Sequence, residues 1–333
     1  NIINVAPLTG ASGLATGTRA YTLLTAGSGL VSSSFSLNTS VITIGATTYT
    51  LSLSGNATNQ YLDVATGSTA TPTTYTLTTL ASVRNIRVGT GTSTITTTIT
   101  NTGTTGAFSD SLSYTSLGAV VAPGPGVTLG APGSGASVAP NVGGTANNSA
   151  NQSFSSTVAG SYLITASGGA VTNTTLGGAP TLQGGVGTDT INVYRLAASN
   201  TIGTPVTFAG NRRVGDIVAQ QALTLNNTAS ADGFSERLDA LILDTTGGVT
   251  GTGAVTLLLA GASNSSSLLV GLDTSTVGAK SGTVTVGLTS NGTATSLLGT
   301  TALAPQVITV NAGTVYRLAV NGVVDSPLVF SGN

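Results

Sequence analysis

Histidine, cysteine, methionine and tryptophan are all absent from the 333-residue sequence. Without histidine and cysteine there is no imidazole base, no thiolate nucleophile and none of the usual ligands for zinc, copper or iron. No disulfide can hold the fold together, so stability must come from strand pairing and burial. The composition therefore predicts a protein that is not an enzyme and needs no cofactor or metal.

Charge is also scarce, since Asp, Glu, Lys and Arg make up 6% of the chain against about 25% in an ordinary globular protein. Nine basic and ten acidic residues leave a net charge of -1, which provides no electrostatic attraction for nucleic acid or anionic lipid. The longest apolar runs, such as "VTLLLAGA", are much shorter than the roughly 20 residues that span a bilayer. We expect neither nucleic-acid binding nor membrane insertion.

The first residue is Asn1, and the chain contains no methionine. This start is typical of a processed product, so the sequence predicts an exported protein whose signal peptide has been removed. The expected location is extracellular or at the cell surface.

Short segments rich in Val, Ile, Leu and Thr follow one another between Gly, Asn, Ser and Pro clusters, which predicts an all-β protein. In "TITTTIT", Ile95 and Ile99 share one face and the intervening even-numbered threonines share the other. The segment Phe234 to Leu243 fits a bent strand, a turn or a short helix. The Gly/Pro-rich stretch Ala122 to Ser153 is predicted to be an extended loop insertion.

Two internal matches predict the domain organisation. "VYRLAASNTIGTPVTFAGN" (193–211) matches the end of the chain, "VYRLAVNGVVDSPLVFSGN" (315–333), without a gap, and residues 86–112 match residues 212–238 in the same way. The spacing between the matched segments is too long for one coil of a solenoid and suits a β-sandwich of about 100 residues. The predicted division is an N-terminal β region that is an incomplete sandwich (1–74), two sandwiches, and a C-terminal segment without a domain of its own. The ranges of the last three units are 75–195, 196–313 and 314–333.

The segment Asn211 to Thr293, which contains "RRVGDIVAQQALTLNNT" and "SGTVTVGLTSNGT", resembles the immunoglobulin-like repeats of bacterial choice-of-anchor D surface proteins, akin to Hydin-type sandwiches. The resemblance covers residues 193–320 well and residues 75–193 more loosely. It implies tandem immunoglobulin-like β-sandwiches in an exported, surface-associated or matrix protein, with no catalytic residues to carry over. A parallel β-helix is the alternative fold.

A few polar residues are candidates for chemistry. Glu236 is the only glutamate and Lys280 the only lysine, a pair that raises the hypothesis of an intramolecular isopeptide bond, although a solvated surface pair explains them more simply. The acidic residues Asp232, Glu236, Asp239 and Asp244 could form a calcium site, but solvated turn residues are the favoured interpretation. Arg195 and Arg317 recur in "VYRLA" and are interpreted as module-junction residues that bond backbone carbonyls.

Glycan attachment is a further hypothesis, because the sequence contains many Asn-x-Ser/Thr tripeptides. They begin at Asn38, Asn56, Asn147, Asn151, Asn173, Asn226, Asn264 and Asn291.

The low charge and the Thr/Ser/Gly-flanked strands predict an extracellular structural protein that assembles with identical subunits into a fibre, sheath or surface layer. The alternative is an adhesin stalk or tip that binds a cell or carbohydrate surface. Residues 314–333 are expected to complete the N-terminal region of the next subunit by β-strand addition. The predicted interface residues are Val315, Tyr316, Leu318, Val320, Leu328 and Phe330.

Overall fold

A computed structural model describes residues 1–6, 12–31, 34–44, 47–66, 73–103, 110–122, 124–139, 146–174, 179–320 and 322. Every regular element in these ranges is a β-strand. The described residues form no helix that is long and apolar enough to cross a bilayer. The prediction of an all-β chain with tandem β-sandwiches is therefore confirmed.

The N-terminal region contains one antiparallel sheet of four strands in the order β2-β6-β5-β4, beside a small parallel pair of β1 and β3. Its core is formed by apolar side chains on β4, β5 and β6, including Ile44, Leu51 and Val64. The strands are β1 Ile2–Ile3, β2 Gly17–Thr25, β3 Ser36–Leu37, β4 Val41–Ile44, β5 Thr47–Gly55 and β6 Asn59–Thr66.

The middle sandwich consists of two sheets. The strand order is β12-β10-β14-β17-β8 in one, with β15 also paired to β10, and β11-β13-β9-β7-β16 in the other. Ile95 and Ile99 are both fully buried, as the period-two pattern predicts, Ile95 in one core cluster with Phe154 and Ile99 in another with Leu112. The strands are β7 Thr74–Ala81, β8 Asn85–Arg87, β9 Ser93–Asn101, β10 Leu112–Val121, β11 Val127–Leu129, β12 Gly133–Val138, β13 Ala146–Ser156, β14 Gly160–Gly168, β15 Thr172–Asn173, β16 Thr181–Val186 and β17 Thr188–Tyr194.

The Gly/Pro-rich stretch that the sequence predicts as a loop contributes strands to this sandwich. β11, β12 and most of β13 lie within residues 122–153, and β13 pairs with β9 from Ala146 opposite Asn101 to Phe154 opposite Ser93. β12 pairs with β10 in the other sheet. Glycine makes this second pairing feasible, because a Cβ on Gly135 of β12 would collide with the carbonyl oxygen of Tyr114 on β10. The loop prediction was wrong because glycine here allows close strand approach.

The C-terminal sandwich has a five-stranded sheet in the order β18-β27-β26-β21-β23 and two three-stranded sheets, β20-β24-β22 and β19-β28-β25. Its core includes the fully buried Leu238, Leu268 and Val286. The strands are β18 Val206–Phe208, β19 Arg212–Arg213, β20 Gln221–Asn226, β21 Arg237–Thr245, β22 Val249–Thr252, β23 Ala254–Leu258, β24 Ser263–Leu272, β25 Gly278–Ala279, β26 Gly282–Asn291, β27 Thr300–Ala312 and β28 Thr314–Tyr316.

The segment Phe234 to Leu243, for which the sequence left three conformations open, lies mostly in strand β21. Its register with β26 shifts between Ile242 and Asp244, so the bent-strand interpretation is the correct one.

The described strands of the N-terminal region and of each sandwich pair within their own unit. β28, which the sequence assigns to a separate segment (314–333), pairs with β19 and β25 and so belongs to the C-terminal sandwich. Between the two sandwiches, the one β-bridge among the described residues is an isolated bridge that joins Arg195 and Ser235. This pattern supports the division near residues 75 and 196, which we retain as a proposal.

Candidate functional site: the joint between the two sandwiches

The chain passes from one sandwich to the next without a spacer. β17 ends at Tyr194, and the backbone of Arg195 already bonds the next sandwich, since its N–H donates to the carbonyl of Phe234 (2.9 Å) and its carbonyl accepts from the N–H of Glu236 (3.0 Å). Two residues later, Ala197 is buried in the C-terminal core. Such direct continuation of hydrogen-bonded backbone limits bending at this point.

Glu236 is the centre of the joint and is fully buried, with 0% exposure. Its Oε1 accepts from Arg87 Nε (2.9 Å) and Ser296 Oγ (2.6 Å), and its Oε2 accepts from Arg87 Nη2 (3.2 Å) and Ser290 Oγ (2.7 Å). The two-pronged contact with guanidinium is the strongest geometry available to a carboxylate. The negative charge of Glu236 is therefore both paired and hydrogen-bonded out of water.

Arg87 brings the positive charge from the other sandwich, where it lies at the end of β8. Its side chain is 19% exposed, and Nη2 also donates to the carbonyls of Leu298 (3.2 Å) and Gly299 (3.0 Å). Asn85 on the same strand donates from Nδ2 to the carbonyl of Ser296 (2.9 Å). All of these partners belong to the C-terminal sandwich. Side-chain hydrogen bonds therefore hold the end of β8, a strand of the middle sandwich, against the C-terminal sandwich.

A second ion pair lies beside the first, where Arg195 Nη1 donates to both carboxylate oxygens of Asp232 (2.7 and 2.6 Å) and to Ser235 Oγ (3.0 Å). This hydrogen bonding by Arg195 holds the pKa of Asp232 below its ordinary value. The Tyr194 and Phe234 rings contact each other in a tilted arrangement, with a centroid distance of 5.8 Å and an interplanar angle of 47°. Arg195 is a junction residue, as expected, but its guanidinium bonds a carboxylate and a hydroxyl where the sequence predicted backbone carbonyls.

The structure does not bring Glu236 and Lys280 together as a reactive pair. Lys280 Nζ donates to Thr276 Oγ1 (2.7 Å) and lies 3.8 Å from a carboxylate oxygen of Asp273, whereas Glu236 bonds Arg87. The interpretation of both as solvated surface charges was wrong as well, because Glu236 and Lys280 are both buried. The sequence did not indicate that Arg87 is the partner of Glu236, because Arg87 belongs to the other sandwich.

The four acidic residues proposed for calcium also have separate surroundings. Asp232 and Glu236 pair with different arginines, and Asp239 accepts from Asn291 Nδ2 (2.6 Å) and the N–H of Leu257 (2.6 Å). Asp239 and Asp244 lie in strand β21, not in a turn as the sequence suggested. In the described part of the chain, no three acidic side chains are grouped so that they could hold a metal ion.

The predicted interface residues divide into three kinds. Val315 is 1% exposed and belongs to β28, which pairs with β19 and β25 of its own sandwich. Tyr316, Leu318 and Val320 are exposed. The remaining two, Leu328 and Phe330, lie outside the described residues. The segment that the sequence assigned to a neighbouring subunit therefore begins as a strand of the C-terminal sandwich itself.

No family model matches the chain, and no curated protein matches it. Among solved structures, domains 5–6 of the S-layer protein SbsC match with 14% identity over 71% of this chain and 97% of that one, at a TM-score of 0.21. The Yersinia pseudotuberculosis adhesin InvE matches with 12% identity over 74% of this chain and 62% of that one, at 0.23. Domains 4–9 of SbsC match with 13% identity over 81% and 36%, at 0.24. At such TM-scores these matches carry no argument about function.

Proposed function

We propose that this chain is an extracellular structural protein without enzymatic activity, which builds a fibre, sheath or surface layer from identical subunits. The observation that carries the proposal is the buried Arg87–Glu236 ion pair between the two sandwiches. Breaking such a pair leaves a buried charge uncompensated and costs about 3–5 kcal/mol. The two sandwiches therefore behave as one stiff body, which suits a load-bearing or spacing element.

The exposed apolar surface of the C-terminal sandwich favours assembly of subunits over a monomeric state. On the outer face of the five-stranded sheet, Leu241, Leu243 and Val307 are exposed, and an open groove of about 440 Å³ lies among apolar residues of the same sheet. Exposed apolar surface of this kind, with little charge to repel a neighbour, is typical of surfaces that pack against other proteins.

Strand edges are a second route to association. Edge strands of soluble monomers are usually protected by lysine, proline or bulges. The only lysine of this chain, Lys280, is buried beside β25, so it protects no edge. The edge strands β2, β16, β20 and β23 carry register shifts, but the edge strands β4, β11 and β22 pair without one. Such regular edges favour pairing between subunits.

The tail of the chain is our candidate for the connecting strand. Because Val315 completes its own sandwich, we move the start of the proposed donor segment from residue 314 to residue 318. Leu318 and Val320 are exposed, and the following residues include the apolar Leu328 and Phe330. We propose that residues 318–333 of one subunit add a strand to the N-terminal region of the next, a head-to-tail contact that does not close on itself and therefore propagates a filament.

Deletion of residues 318–333 tests this function. We expect the truncated chain to remain folded, because Val315 and β28 are retained, but to be monomeric by sedimentation and to form no filaments by electron microscopy. A matched control replaces Leu163, an exposed apolar side chain on β14 of the middle sandwich, by Ser and should assemble normally. Normal filaments from the truncated chain would contradict strand addition.

An adhesin stalk is the second candidate, because a stiff joint also suits a rod that holds a binding tip away from a cell. Electron microscopy separates the two. Regular filaments of the purified chain favour the structural function, whereas isolated rods that bind cells favour the adhesin.

A further inference from the structure

A turn at the far end of the C-terminal sandwich, away from the joint, presents a fully exposed isoleucine. Ile217 is 100% exposed. The backbone just before it forms a closed turn, since the N–H of Arg213 donates to Asp216 Oδ2 (2.7 Å) and the N–H of Asp216 donates to the Arg213 carbonyl (3.1 Å). We call residues 213–217 the Ile217 turn.

Hydrogen bonds from two neighbouring segments hold this turn in place. The N–H of Gly215 donates to the Thr274 carbonyl (3.0 Å), and Thr274 Oγ1 donates to the Asp216 carbonyl (2.7 Å). On the other side, the N–H of Val214 donates to the Tyr316 carbonyl of β28 (2.9 Å). A side chain on a fixed backbone loses little conformational freedom when it binds. The turn therefore presents its isoleucine as a preorganised knob.

The fold of the sandwich does not require an apolar residue at this place. Arg213 pairs in parallel with Tyr316, and in the middle sandwich Arg87 pairs in the same way with Tyr194. The gapless repeat puts Gly91 at the place of the isoleucine. Because an equivalent sandwich is built with glycine there, the isoleucine is explained by a contact outside the subunit better than by packing within it.

The groove on the outer face of the five-stranded sheet has room for such a knob. Its volume of about 440 Å³ is in the range of pockets that hold small ligands, and Leu241, Leu243 and Ala302 are among the residues that line it. Gly287 also lines it. A Cβ on Gly287 would come within 2.6 Å of Leu243 Cδ1, so glycine allows this leucine to lie across the sheet. We call this site the outer groove.

A free carboxylate lies beside the outer groove. Asp244 follows Leu243 in β21 and pairs with Thr285 of β26. Val284 and Val286, on either side of Thr285, are fully buried. Thr285 and Asp244 therefore point away from the core. Asp244 is exposed and forms no hydrogen bond or ion pair with any described residue, so the border of this apolar groove carries an unpaired negative charge.

The Ile217 turn carries the opposite charge among apolar side chains. Arg213 and Arg317 are exposed and line one open pocket, and neither guanidinium has a hydrogen-bond or ion-pair partner in the described part of the chain. Val214 and Val277 are exposed and line a neighbouring pocket. Apolar side chains with arginine among them are typical of protein interfaces.

We propose that the Ile217 turn of one copy docks into the outer groove of a second copy. Ile217 packs against Leu241 and Leu243, and burial of these side chains drives the contact. Arg213 lies beside Asp244, and this charge pair fixes the orientation. The complementary charges select a second copy as the occupant, because the chain carries both halves. Since the two surfaces differ, each docked pair keeps one free turn and one free groove and can join further copies.

This contact goes beyond the proposed strand addition and does not depend on it, since no residue of the segment 318–333 takes part. The contact is small and therefore weak between free subunits. Where filaments lie side by side, many such contacts act together and strengthen one another. The proposed result is lateral packing of filaments into a sheath or layer.

Thiol crosslinking between copies tests the proposal, because the chain has no cysteine of its own. Full-length Ala219→Cys, altered two residues after Ile217, is mixed with full-length Thr256→Cys, altered at the outer groove, and treated with a short bismaleimide. Mass spectrometry identifies the mixed dimers. In the matched control, Thr94→Cys replaces Thr256→Cys, since Thr94 is an exposed threonine on a central strand of the middle sandwich. We expect mixed dimers to form faster with Thr256→Cys than with the control.

Two further substitutions test the named contacts. Adding Ile217→Ser to the Ala219→Cys chain should slow formation of the mixed dimer by at least about tenfold, as loss of an interface anchor does. Adding Asp244→Asn to the Thr256→Cys chain should also slow it, and salt should do the same. Both side chains are exposed, so unfolding midpoints should not change. Equal rates for Thr256→Cys and the control, or a rate that neither substitution lowers, would overturn the docking.

The outcomes separate this inference from the proposed function. If the full chain forms filaments but Thr256→Cys crosslinks no faster than Thr94→Cys, the docking is refuted and strand addition stands. If the groove crosslink forms and depends on Ile217, but deletion of residues 318–333 leaves filaments intact, strand addition is refuted and the docking stands.

Discussion

Replacing Arg87 by Met is the sharpest test of how the joint is held together. The substitution keeps an apolar stem of similar length but removes the guanidinium that supplies two of the four hydrogen bonds to Glu236. The carboxylate would remain buried with only Ser290 and Ser296 as donors. Leaving a buried charge without its partner costs about 3–5 kcal/mol, so the free energy of unfolding should fall by that amount.

The partner variant Glu236→Gln should cost less, about 1–3 kcal/mol, because the amide is neutral and the Arg87 side chain, which is 19% exposed, can reach water. Combining the two changes removes both charges together. The loss in the double variant should therefore be smaller than the sum of the single losses, with a coupling of about 0.5–3 kcal/mol. Additive losses would mean that the two side chains do not act as a pair.

Denaturant unfolding measures these energies, and limited trypsin digestion reports where the chain opens. Arg195 lies in the joint with its backbone bonded on both sides, so cleavage after Arg195 requires the joint to open. We expect slow cleavage there in the wild type and fast cleavage in Arg87→Met. Arg84→Met is the control, since the Arg84 side chain that pairs with Asp189 is 63% exposed and its loss should cost no more than about 1 kcal/mol. Equal unfolding energies for Arg87→Met and the control would refute the reasoning.

Three other predictions concern single residues. Burial opposes ionisation of Asp189, but hydrogen bonds from two backbone amides and the charge of Arg84 outweigh it and hold the pKa of Asp189 below its ordinary value of 3.8. The ionised carboxylate therefore contributes fully to the free energy of unfolding above pH 3.8, and this contribution is lost as the pH falls through the lower pKa of the folded state. Asp189→Asn should accordingly make the free energy of unfolding less dependent on acid pH. Phe154→Ala should cost about 3–5 kcal/mol in denaturant unfolding, because Phe154 is fully buried. Gly253→Ala should lower the melting temperature, because Gly253 has a φ of +107° and an added Cβ would collide with the carbonyl oxygen of Ser267.

Much of the architecture follows from the sequence alone. Alternation of Ile and Thr in β9 determines which side chains face the core, since successive side chains of a strand point to opposite faces. Ile95 and Ile99 accordingly lie between the sheets. The gapless repeat likewise places Arg213 where Arg87 lies, because equal spacing along equal strands brings equivalent residues to equivalent positions. The missing histidine and cysteine mean that the chain has no imidazole and no thiol group, which is clear without any structure.

Pairing across long distances was decided only by the tertiary structure. Glu236 is bonded by Arg87, 149 positions away, and composition had suggested Lys280 because both residues are unique in the chain. Residues 122–153 looked like a loop, yet they pair with strands whose backbone their glycines allow to approach closely. Val315 was expected to join another subunit but completes its own sheet. Local pattern determines which residues form strands and which face is apolar, whereas the partner of a strand or a charge depends on which distant surfaces pack together.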